Sequence, residues 1–245
     1  MNIIWCITGS GAYMRDVVPI MERVKREHGV KITLCFSEWG YRVARLYGIL
    51  PRLRSIASGK YYEERLIGSN GFYYTGRLNL GRYRLAVIAP ATSNSIAKMV
   101  HGIADTLPTL VFSEALKSGI PTVVLPSDIP DNGGYAYSEA PCRIDRSRCT
   151  CIETTGSCPA MSECPSKAIV IVDEKPYIDL SKCTGCELCV KACIAGAITC
   201  WERIRVKPRR VDLENIEKLR NWKNVFVVGN PLELYRVIAR LLGEK

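Results

Sequence analysis

Eight of the twelve cysteines in this chain fall between Cys149 and Cys193. Cysteines spread evenly along a chain could suggest disulfides, whereas cysteines clustered this tightly indicate metal binding. The N-terminal residues show no signal-peptide pattern and no apolar stretch is long enough to span a membrane, so we expect a reducing cytoplasm, where thiolates survive as metal ligands. We therefore expect the segment around these cysteines to fold around metal groups.

The last four cysteines of the cluster, Cys183, Cys186, Cys189 and Cys193, have the spacing C-x2-C-x2-C-x3-C. In this spacing one tight loop gives three thiolates to a cubane [4Fe-4S] cluster and sends the fourth cysteine elsewhere. Zinc is the alternative, but a zinc site normally takes two C-x2-C pairs that are separated by a longer loop. The spacing favours iron–sulfur chemistry, and hence electron transfer.

The cysteine segment also repeats itself. Ile144-Asp145 ahead of Cys149 recurs as Ile178-Asp179 ahead of Cys183, and the run CPSKAI from Cys164 recurs as CIAGAI from Cys193. These repeats resemble the two halves of the bacterial two-cluster ferredoxins. In that family each half gives three cysteines to its own cluster and one to the other.

The ferredoxin resemblance implies two [4Fe-4S] clusters, one held by Cys149, Cys151, Cys158 and Cys193, and the other by Cys183, Cys186, Cys189 and Cys164. The first half departs from the family, because Cys149-x-Cys151-x6-Cys158-x5-Cys164 is irregular and Ile194 replaces the usual proline. Cys142 could therefore compete with Cys149 or Cys151 as a ligand. Otherwise we expect Cys142 and Cys200 to be spare, and Cys6 and Cys35 to be core residues.

Outside this segment the chain alternates short apolar runs with amphipathic stretches, which predicts a parallel sheet covered on both faces by helices. The predicted strands are residues 3–8, 31–36, 85–89, 121–125 and 225–228. We expect an α/β fold, a Rossmann-like or flavodoxin-like three-layer α/β/α parallel sheet, with an inserted bacterial ferredoxin-like α+β domain. The predicted domains are 1–136 with 204–245, and the insert 137–203.

Three loops that follow predicted strands contain residues suited to binding a phosphate or a cofactor: Thr8 to Gly11, Ser37, and Ala91 to Asn94. Ligands of parallel α/β sheets bind beyond the carboxyl ends of the strands, where helix N-termini can hold an anion. The run Thr8-Gly9-Ser10-Gly11 alone is a weak signal, because it lacks both the Walker lysine and the full G-x-G-x-x-G. Thr92 to Asn94 could also simply cap a helix.

The loop APATSNSIAK from Ala89 and the run GIADTL from Gly102, taken with the glycines near the N-terminus, resemble a flavoprotein family. That family includes flavin-dependent cysteine decarboxylases, flavin prenyltransferases and archaeal flavoproteins. The resemblance implies FMN, with its phosphate held by Gly9, Ser10 and Gly11 and its ring or ribitol held by Ser37, Thr92, Ser93 and Asn94. Thr8 and Ala91 flank these positions and belong to the same predicted site. A homo-oligomer with FMN near a subunit interface is implied as well.

A two-cluster ferredoxin inserted into such a flavoprotein is similar to the archaeal dihydromethanopterin reductases. This resemblance implies that electrons pass from an external donor such as ferredoxin through the clusters to FMN, and then to a dihydropterin. Two other functions remain open: an electron carrier for an unknown partner, and non-redox flavin chemistry with structural clusters. The proton donor is unassigned; His28 and His101 are expected to be structural, and Tyr73, Tyr74, Tyr135 or Tyr137 could stack on a pterin or simply pack.

The net charge of +10 lies entirely outside residues 142–200, which contain seven basic and seven acidic residues. A basic surface could attract an acidic electron-donor protein, an anionic cofactor or nucleic acid, or could simply be solvated. We expect no nucleic-acid partner, because neither a long Lys/Arg run nor a stacking-aromatic motif is present. We also expect no membrane span, because the longest apolar stretches, such as Leu85 to Ala91, are too short.

Overall fold

The structure is a computed structural model that describes residues 1–152 and 156–243. The chain divides into two compact units. The first contains Met1–Val43, Leu50–Ser138 and the chain from Arg205 onward, and the second contains Ala44–Ile49 and Glu139–Ile204. Within the described residues, the helices are all too short or too polar to cross a membrane.

The described strands are β1 (Asn2–Ile7), β2 (Lys31–Phe36), β3 (Arg65–Ile67), β4 (Leu85–Ala91), β5 (Thr122–Pro126), β6 (Ala136–Glu139), β7 (Arg143–Ile144), β8 (Ile169–Val172), β9 (Lys175–Ile178), β10 (Ile198–Thr199), β11 (Arg203–Val206) and β12 (Val225–Val227). The described helices are α1 (Val17–His28), α2 (Glu38–Leu46), α3 (Leu50–Ile56), α4 (Gly76–Asn79), α5 (Ser93–Val100), α6 (Leu107–Lys117), α7 (Pro159–Ser162), α8 (Leu188–Ala192), α9 (Arg210–Arg220) and α10 (Pro231–Leu242). A 3-10 helix covers Gly68–Tyr74.

The first unit contains a six-stranded sheet in the order β3-β2-β1-β4-β5-β12, and its paired strands all run parallel. This is the strand order of doubly wound nucleotide-binding sheets, in which ligands bind where the order reverses. Here the order reverses between β1 and β4. The predicted parallel α/β fold is therefore confirmed, and its ligand-binding edge lies where residues 8 and 92 follow these two strands.

The core of this sheet explains why its strands read as continuous apolar runs. All seven residues of β4 are buried, and Trp5 on the neighbouring strand β1 is fully buried. The indole N–H of Trp5 donates a 2.8 Å hydrogen bond to the carbonyl of Ala89. A parallel sheet covered on both faces needs no polar face, which is why alternation is absent from these sequences.

The second unit is built from two short antiparallel pairings, β7 with β10 and β8 with β9. It also includes Ala44–Ile49, a segment far from the insert in sequence. Arg45 donates 2.8 Å and 3.1 Å hydrogen bonds to the carbonyls of Ser181 and Lys182, and the ring of Tyr47 lies 4.9 Å from that of Trp201. The sequence pattern gave no indication of this grouping.

Candidate functional site

Thr8, at the end of β1, ties the two loops of the switch point together. Its backbone N–H and its hydroxyl both donate to the carbonyl of Pro90, at 3.2 Å and 2.9 Å, and its hydroxyl oxygen accepts the N–H of Thr92 at 2.9 Å. The residue is only 1% exposed. The hydrogen bonds of the buried Thr8 therefore fix the position of the loop at Thr92 relative to the loop at Gly9.

A cavity of about 600 Å³ opens at this edge of the sheet. Four of the nine residues predicted to bind the cofactor line it, namely Gly9, Ser37, Thr92 and Asn94. The volume falls in the range of small-molecule and cofactor pockets, which is about 300 to 1,000 Å³. The three predicted loops therefore meet in one space, as their positions after neighbouring strands require.

The other five predicted residues, Thr8, Ser10, Gly11, Ala91 and Ser93, are not part of the cavity lining among the described residues. The hydroxyl of Ser10 accepts the N–H of Ala12 at 3.1 Å, so it closes the turn after β1. The hydroxyl of Ser93 donates to the carboxylate of Asp128. These two hydrogen bonds stabilise the loops that carry the cavity lining. Direct cofactor binding by the five residues stays a prediction.

Helix α5 begins at the cavity. Thr92 is its N-cap, and the Thr92 hydroxyl accepts the N–H of Ser95 at 3.3 Å. Asn94 and Ser95, in the first turn of the helix, line the cavity. Because the N–H groups of a first helical turn carry partial positive charge and lack intrahelical partners, this end of the cavity can hold a phosphate.

Several residues that the sequence reasoning did not select also line the cavity, in particular Glu38, Trp39, Phe72, Lys98 and Asp105. Trp39 is 68% exposed although its indole is large and apolar. Lys98 pairs with Asp105 at 2.6 Å. Trp39 and Phe72 give the cavity apolar walls that suit a flat ring. Part of this set could have been found from sequence, because the resemblance to flavoproteins includes the runs that contain Lys98 and Asp105.

Two positions of the cavity wall, Gly9 and Gly68, require glycine because neighbouring side chains lie too close for a Cβ atom. A Cβ atom on Gly9 would lie 2.8 Å from the Cβ of Trp39, and one on Gly68 would lie 2.1 Å from Oε1 of Glu38. Gly68 also has a left-handed φ of +53 degrees. Larger side chains at these positions would displace Trp39 or Glu38 from the cavity wall.

In the second unit, Cys164, Cys183, Cys186 and Cys189 line a single cavity. These are the four cysteines predicted to hold one cluster. Burial raises the pKa of Cys189 to about 11 and also raises the pKa of Cys183. Burial acts in the same direction on Cys164, but N–H groups, including that of Ala168 at 3.3 Å from the sulfur, outweigh it and lower the pKa of that thiol. Thiolates are the ligands that an iron–sulfur cluster requires, so the donor set fits the predicted group.

The sequence repeat has a matching structural repeat. The N–H of Ala168 donates to the sulfur of Cys164, and the N–H of Ala197 donates to the sulfur of Cys193, both at 3.3 Å. Asp145 accepts hydrogen bonds from the N–H and hydroxyl of Ser147 at 3.0 Å and 2.6 Å, and Asp179 accepts the same pair from Ser181 at the same distances. The two halves therefore fold alike around their cysteines.

The two halves also exchange their ends. Ile144 of the first half pairs with Ile198 of the second, and Ile178 of the second pairs with Ile169 of the first. Each exchange brings the last cysteine of one half, Cys193 or Cys164, into the neighbourhood of the other half's cysteine loop. This crossing supports the predicted ligand sets, in which each half supplies one ligand to the other half's cluster.

The four cysteines of the other predicted ligand set, which has the irregular spacing, also lie in one part of the structure. Cys149, Cys151 and Cys158 are buried in one apolar cluster against which Cys193 packs, and the sulfurs of Cys149 and Cys151 lie 3.7 Å apart. Burial and the neighbouring Cys151 raise the pKa of Cys149 to about 11. Among the described residues, no three His, Cys, Asp or Glu side chains are grouped as the ligands of a single metal ion.

Cys142 and Cys200, which we expected to be spare, form a disulfide. The sulfur of Cys142 is therefore not free in this structure to replace Cys149 or Cys151. The bond forms because the antiparallel register that pairs Arg143 with Thr199 places residues 142 and 200 opposite each other. A disulfide was not expected in a chain predicted to work in a reducing compartment. Cys6 and Cys35 are fully buried in the sheet, as predicted.

Comparisons with known proteins agree with both halves of this description. The family model named Flavoprotein matches residues 1–129, and the model of a 4Fe-4S binding domain matches residues 176–199. The chain is 36% identical over 239 residues to a dihydromethanopterin reductase (acceptor) of Methanocaldococcus jannaschii, covering 96% of this chain and 94% of that protein. It is 34% identical over 245 residues to the protein of the same name from Methanosarcina mazei, covering 96% and 98%.

Two solved structures share the fold. DmrB of Burkholderia xenovorans in complex with FMN, described as a cubic protein cage for redox transfer, has a TM-score of 0.61 at 24% identity and covers 98% of this chain and 94% of that one. The FMN-dependent cysteine decarboxylase TvaF from thioviridamide biosynthesis has a TM-score of 0.52 at 12% identity and covers 100% and 99%.

The doubly wound sheet and the 4Fe-4S binding segment define this chain as an iron–sulfur flavoprotein. Within that class it belongs to the dihydromethanopterin reductase (acceptor) family, a family of oxidoreductases, because two members align over nearly its whole length.

Proposed function

We propose that this protein reduces 7,8-dihydromethanopterin to tetrahydromethanopterin with electrons from an external donor protein such as ferredoxin. The observation that carries the proposal is the near full-length similarity to two dihydromethanopterin reductases, on a chain that has both a cofactor-sized cavity and eight cysteines gathered in its second unit. The two sets would hold two [4Fe-4S] clusters. When bound, the clusters and FMN supply the redox chemistry, which converts single electrons into a hydride.

The flavoprotein unit would hold FMN in the cavity between the loops after β1, β2 and β4. The N-terminus of α5 would offer N–H groups for the phosphate beside the turn at Gly9, and Thr92 holds that helix end in place through its cap. Trp39 and Phe72 would contact the flat rings. This assignment gives Thr8 a positioning role, because its hydrogen bonds fix the two phosphate-side loops relative to each other.

The dihydropterin would stack on Trp39. The four tyrosines considered from sequence suit this role less well: none of them lines the cavity among the described residues. Tyr137 donates to Asp131 at 2.8 Å, Tyr135 packs under the Arg205 guanidinium at 3.9 Å, and Tyr74 lies 4.8 Å from the Arg77 guanidinium. Trp39 combines a place on the cavity wall with high exposure, which is what a second flat ligand needs.

A homo-oligomer with FMN near a subunit interface is part of the proposal. The DmrB neighbour forms a cage, and the cavity of this chain is flanked by apolar side chains that are exposed in one subunit, including Trp39. Molecular mass in solution, measured by light scattering on the FMN-loaded protein, tests this point. A monomer at working concentration would contradict it.

An anaerobic turnover assay tests the function. Reduced ferredoxin and 7,8-dihydromethanopterin are mixed with the cofactor-loaded protein, and the tetrahydropterin is quantified by chromatography. We expect product in proportion to ferredoxin oxidised, at one pterin per two electrons. Ferredoxin-dependent reduction of the bound flavin with no pterin product would instead identify an electron carrier.

A further inference from the structure

The Cys142–Cys200 disulfide lies at the wall of a cysteine-lined cavity. Cys142 lines the same cavity as Cys164, Cys183, Cys186 and Cys189. It is bonded to Cys200, 58 residues along the chain, across the paired strands β7 and β10. The disulfide therefore sits directly beside the space in which one cluster is proposed to bind.

The surroundings of Cys142 restrict how electrons can reach this disulfide. Cys142 is 2% exposed. Reduction by a soluble thiol requires attack on a disulfide sulfur from solvent, and the rate depends on access to that sulfur. Cys200, by contrast, is partly exposed, so a soluble thiol can reach the bond only from the Cys200 side. Electron transfer from a neighbouring cluster requires proximity and a cluster potential below that of the disulfide, but no path for a reagent. The side of Cys142 that faces the cysteine cavity provides that proximity.

We infer that the Cys142–Cys200 disulfide is redox-active and is reduced by the cluster bound at Cys164, Cys183, Cys186 and Cys189. This inference rests on the cluster assignment in the proposed function. Two electrons from the external donor protein, passed on by a cluster bound there, together with two protons from solvent, would break the S–S bond and leave Cys142 and Cys200 as thiols.

A redox-active disulfide here gives the protein a store for two electrons and a covalent switch at one end of the cluster-binding unit. Trp201, next to Cys200, donates a 2.5 Å hydrogen bond to Glu187, and Glu187 lines the same cavity. Opening the disulfide would remove the covalent link between residues 142 and 200, directly beside Trp201. A purely structural disulfide would instead stay closed while the cluster is reduced.

Thiol labelling during stepwise photoreduction tests the inference. The protein is purified anaerobically without thiol reagents, freed of FMN, and reduced in small steps by light and a deazaflavin. Cluster reduction is followed by electron paramagnetic resonance, and samples are denatured in iodoacetamide so that labelled Cys142 and Cys200 are counted by mass spectrometry. We expect both residues to be unlabelled at first and to become labelled only after the cluster signal has appeared.

Three controls keep the outcome decisive. Protein stripped of clusters by a chelator and the variant Cys186→Ser should lose the light-dependent labelling, while Cys193→Ser, which alters the other cysteine set, should keep it. Labelling of cluster-free protein at the rate of the intact protein would overturn the inference. So would a disulfide that stays closed beside reduced clusters, or thiols that are free before any reduction. Because FMN and pterin are absent, failure of the pterin reductase activity would leave this result unaffected.

Discussion

The backbone N–H of Thr92 donates a 2.9 Å hydrogen bond to the hydroxyl of Thr8, and so joins the ends of two neighbouring strands at the point where the strand order reverses. The two residues are 84 positions apart in the chain. This bond fixes the separation between the glycine turn and the helix end, the two parts that are proposed to hold the FMN phosphate.

Replacing Thr8 by Val should therefore weaken both stability and FMN binding. The change keeps the shape of the side chain but leaves the part-buried N–H of Thr92 without its partner, which costs about 1 kcal/mol. Urea unfolding of the apoprotein measures the first effect and flavin fluorescence titration measures the second. Thr8→Ser is the matched control and should behave nearly as the parent chain does; equal losses in both variants would argue against the hydrogen bond.

Replacing Trp39 by Ala should weaken binding of the flat ligands without lowering stability, because the indole is 68% exposed. Loss of a ring stack of roughly 1 kcal/mol should raise the dissociation constant of the dihydropterin about fivefold. Trp39→Phe should retain most of the affinity. Tyr73→Ala, at an even more exposed aromatic side chain that does not line the cavity, provides the control. A Trp39→Ala protein with unchanged affinity would exclude Trp39 from the pterin site.

Iron and acid-labile sulfide should each be close to eight per chain in the loaded protein, because two cubane clusters contain about eight of each. Cys186→Ser and Cys158→Ser should each reduce the iron content by about half, since they remove a ligand from different sets. Cys35→Ser, at a buried core position of the sheet, should leave the iron content of the folded protein unchanged. An iron content of about four per chain in the parent protein would contradict the cluster predicted at Cys149, Cys151, Cys158 and Cys193.

Protonation of Asp212 should lower the stability of the first unit at acid pH. The Arg209 guanidinium donates to its two carboxylate oxygens at 2.8 Å and 2.9 Å, and this fork lowers the pKa of Asp212 below its ordinary value of 3.8. A folded-state pKa below the unfolded one stabilises the protein above about pH 3.8, and the stabilisation is lost as pH falls through the folded value. Asp212→Asn should thus flatten the acid side of a melting-temperature profile and cost about 1 to 2 kcal/mol at neutral pH. Parallel profiles for the two proteins would contradict this role.

The parts of this structure that depend on sequence periodicity were predictable. The apolar runs located five of the six strands in the parallel sheet; the sixth, Arg65–Ile67, is a three-residue edge strand with too short a pattern to detect. The repeat around Asp145 and Asp179 carried the resemblance to two-cluster ferredoxins, and the two cysteine sets that this resemblance implies stay a prediction.

Contacts between distant segments were not predictable from one sequence. Trp39 lies two residues after the predicted Ser37, but strand-to-helix patterning identifies a loop and not the direction of its side chains. The Cys142–Cys200 bond depends on the register of strands 58 residues apart, and the place of Ala44–Ile49 in the second unit depends on contacts such as that of Arg45 with Ser181. The predicted domain limits, 1–136 with 204–245 and 137–203, stay a proposal.

The most direct test of the central claim is a single-turnover experiment on the reduced protein. The cofactor-loaded chain is reduced anaerobically and mixed in a stopped-flow instrument with 7,8-dihydromethanopterin, while flavin absorbance is recorded. We predict that the flavin reoxidises much faster with the pterin than with buffer, and that one tetrahydropterin forms per flavin reoxidised. Flavin reoxidation at the same rate with and without the pterin would contradict the proposal that this protein is a dihydromethanopterin reductase.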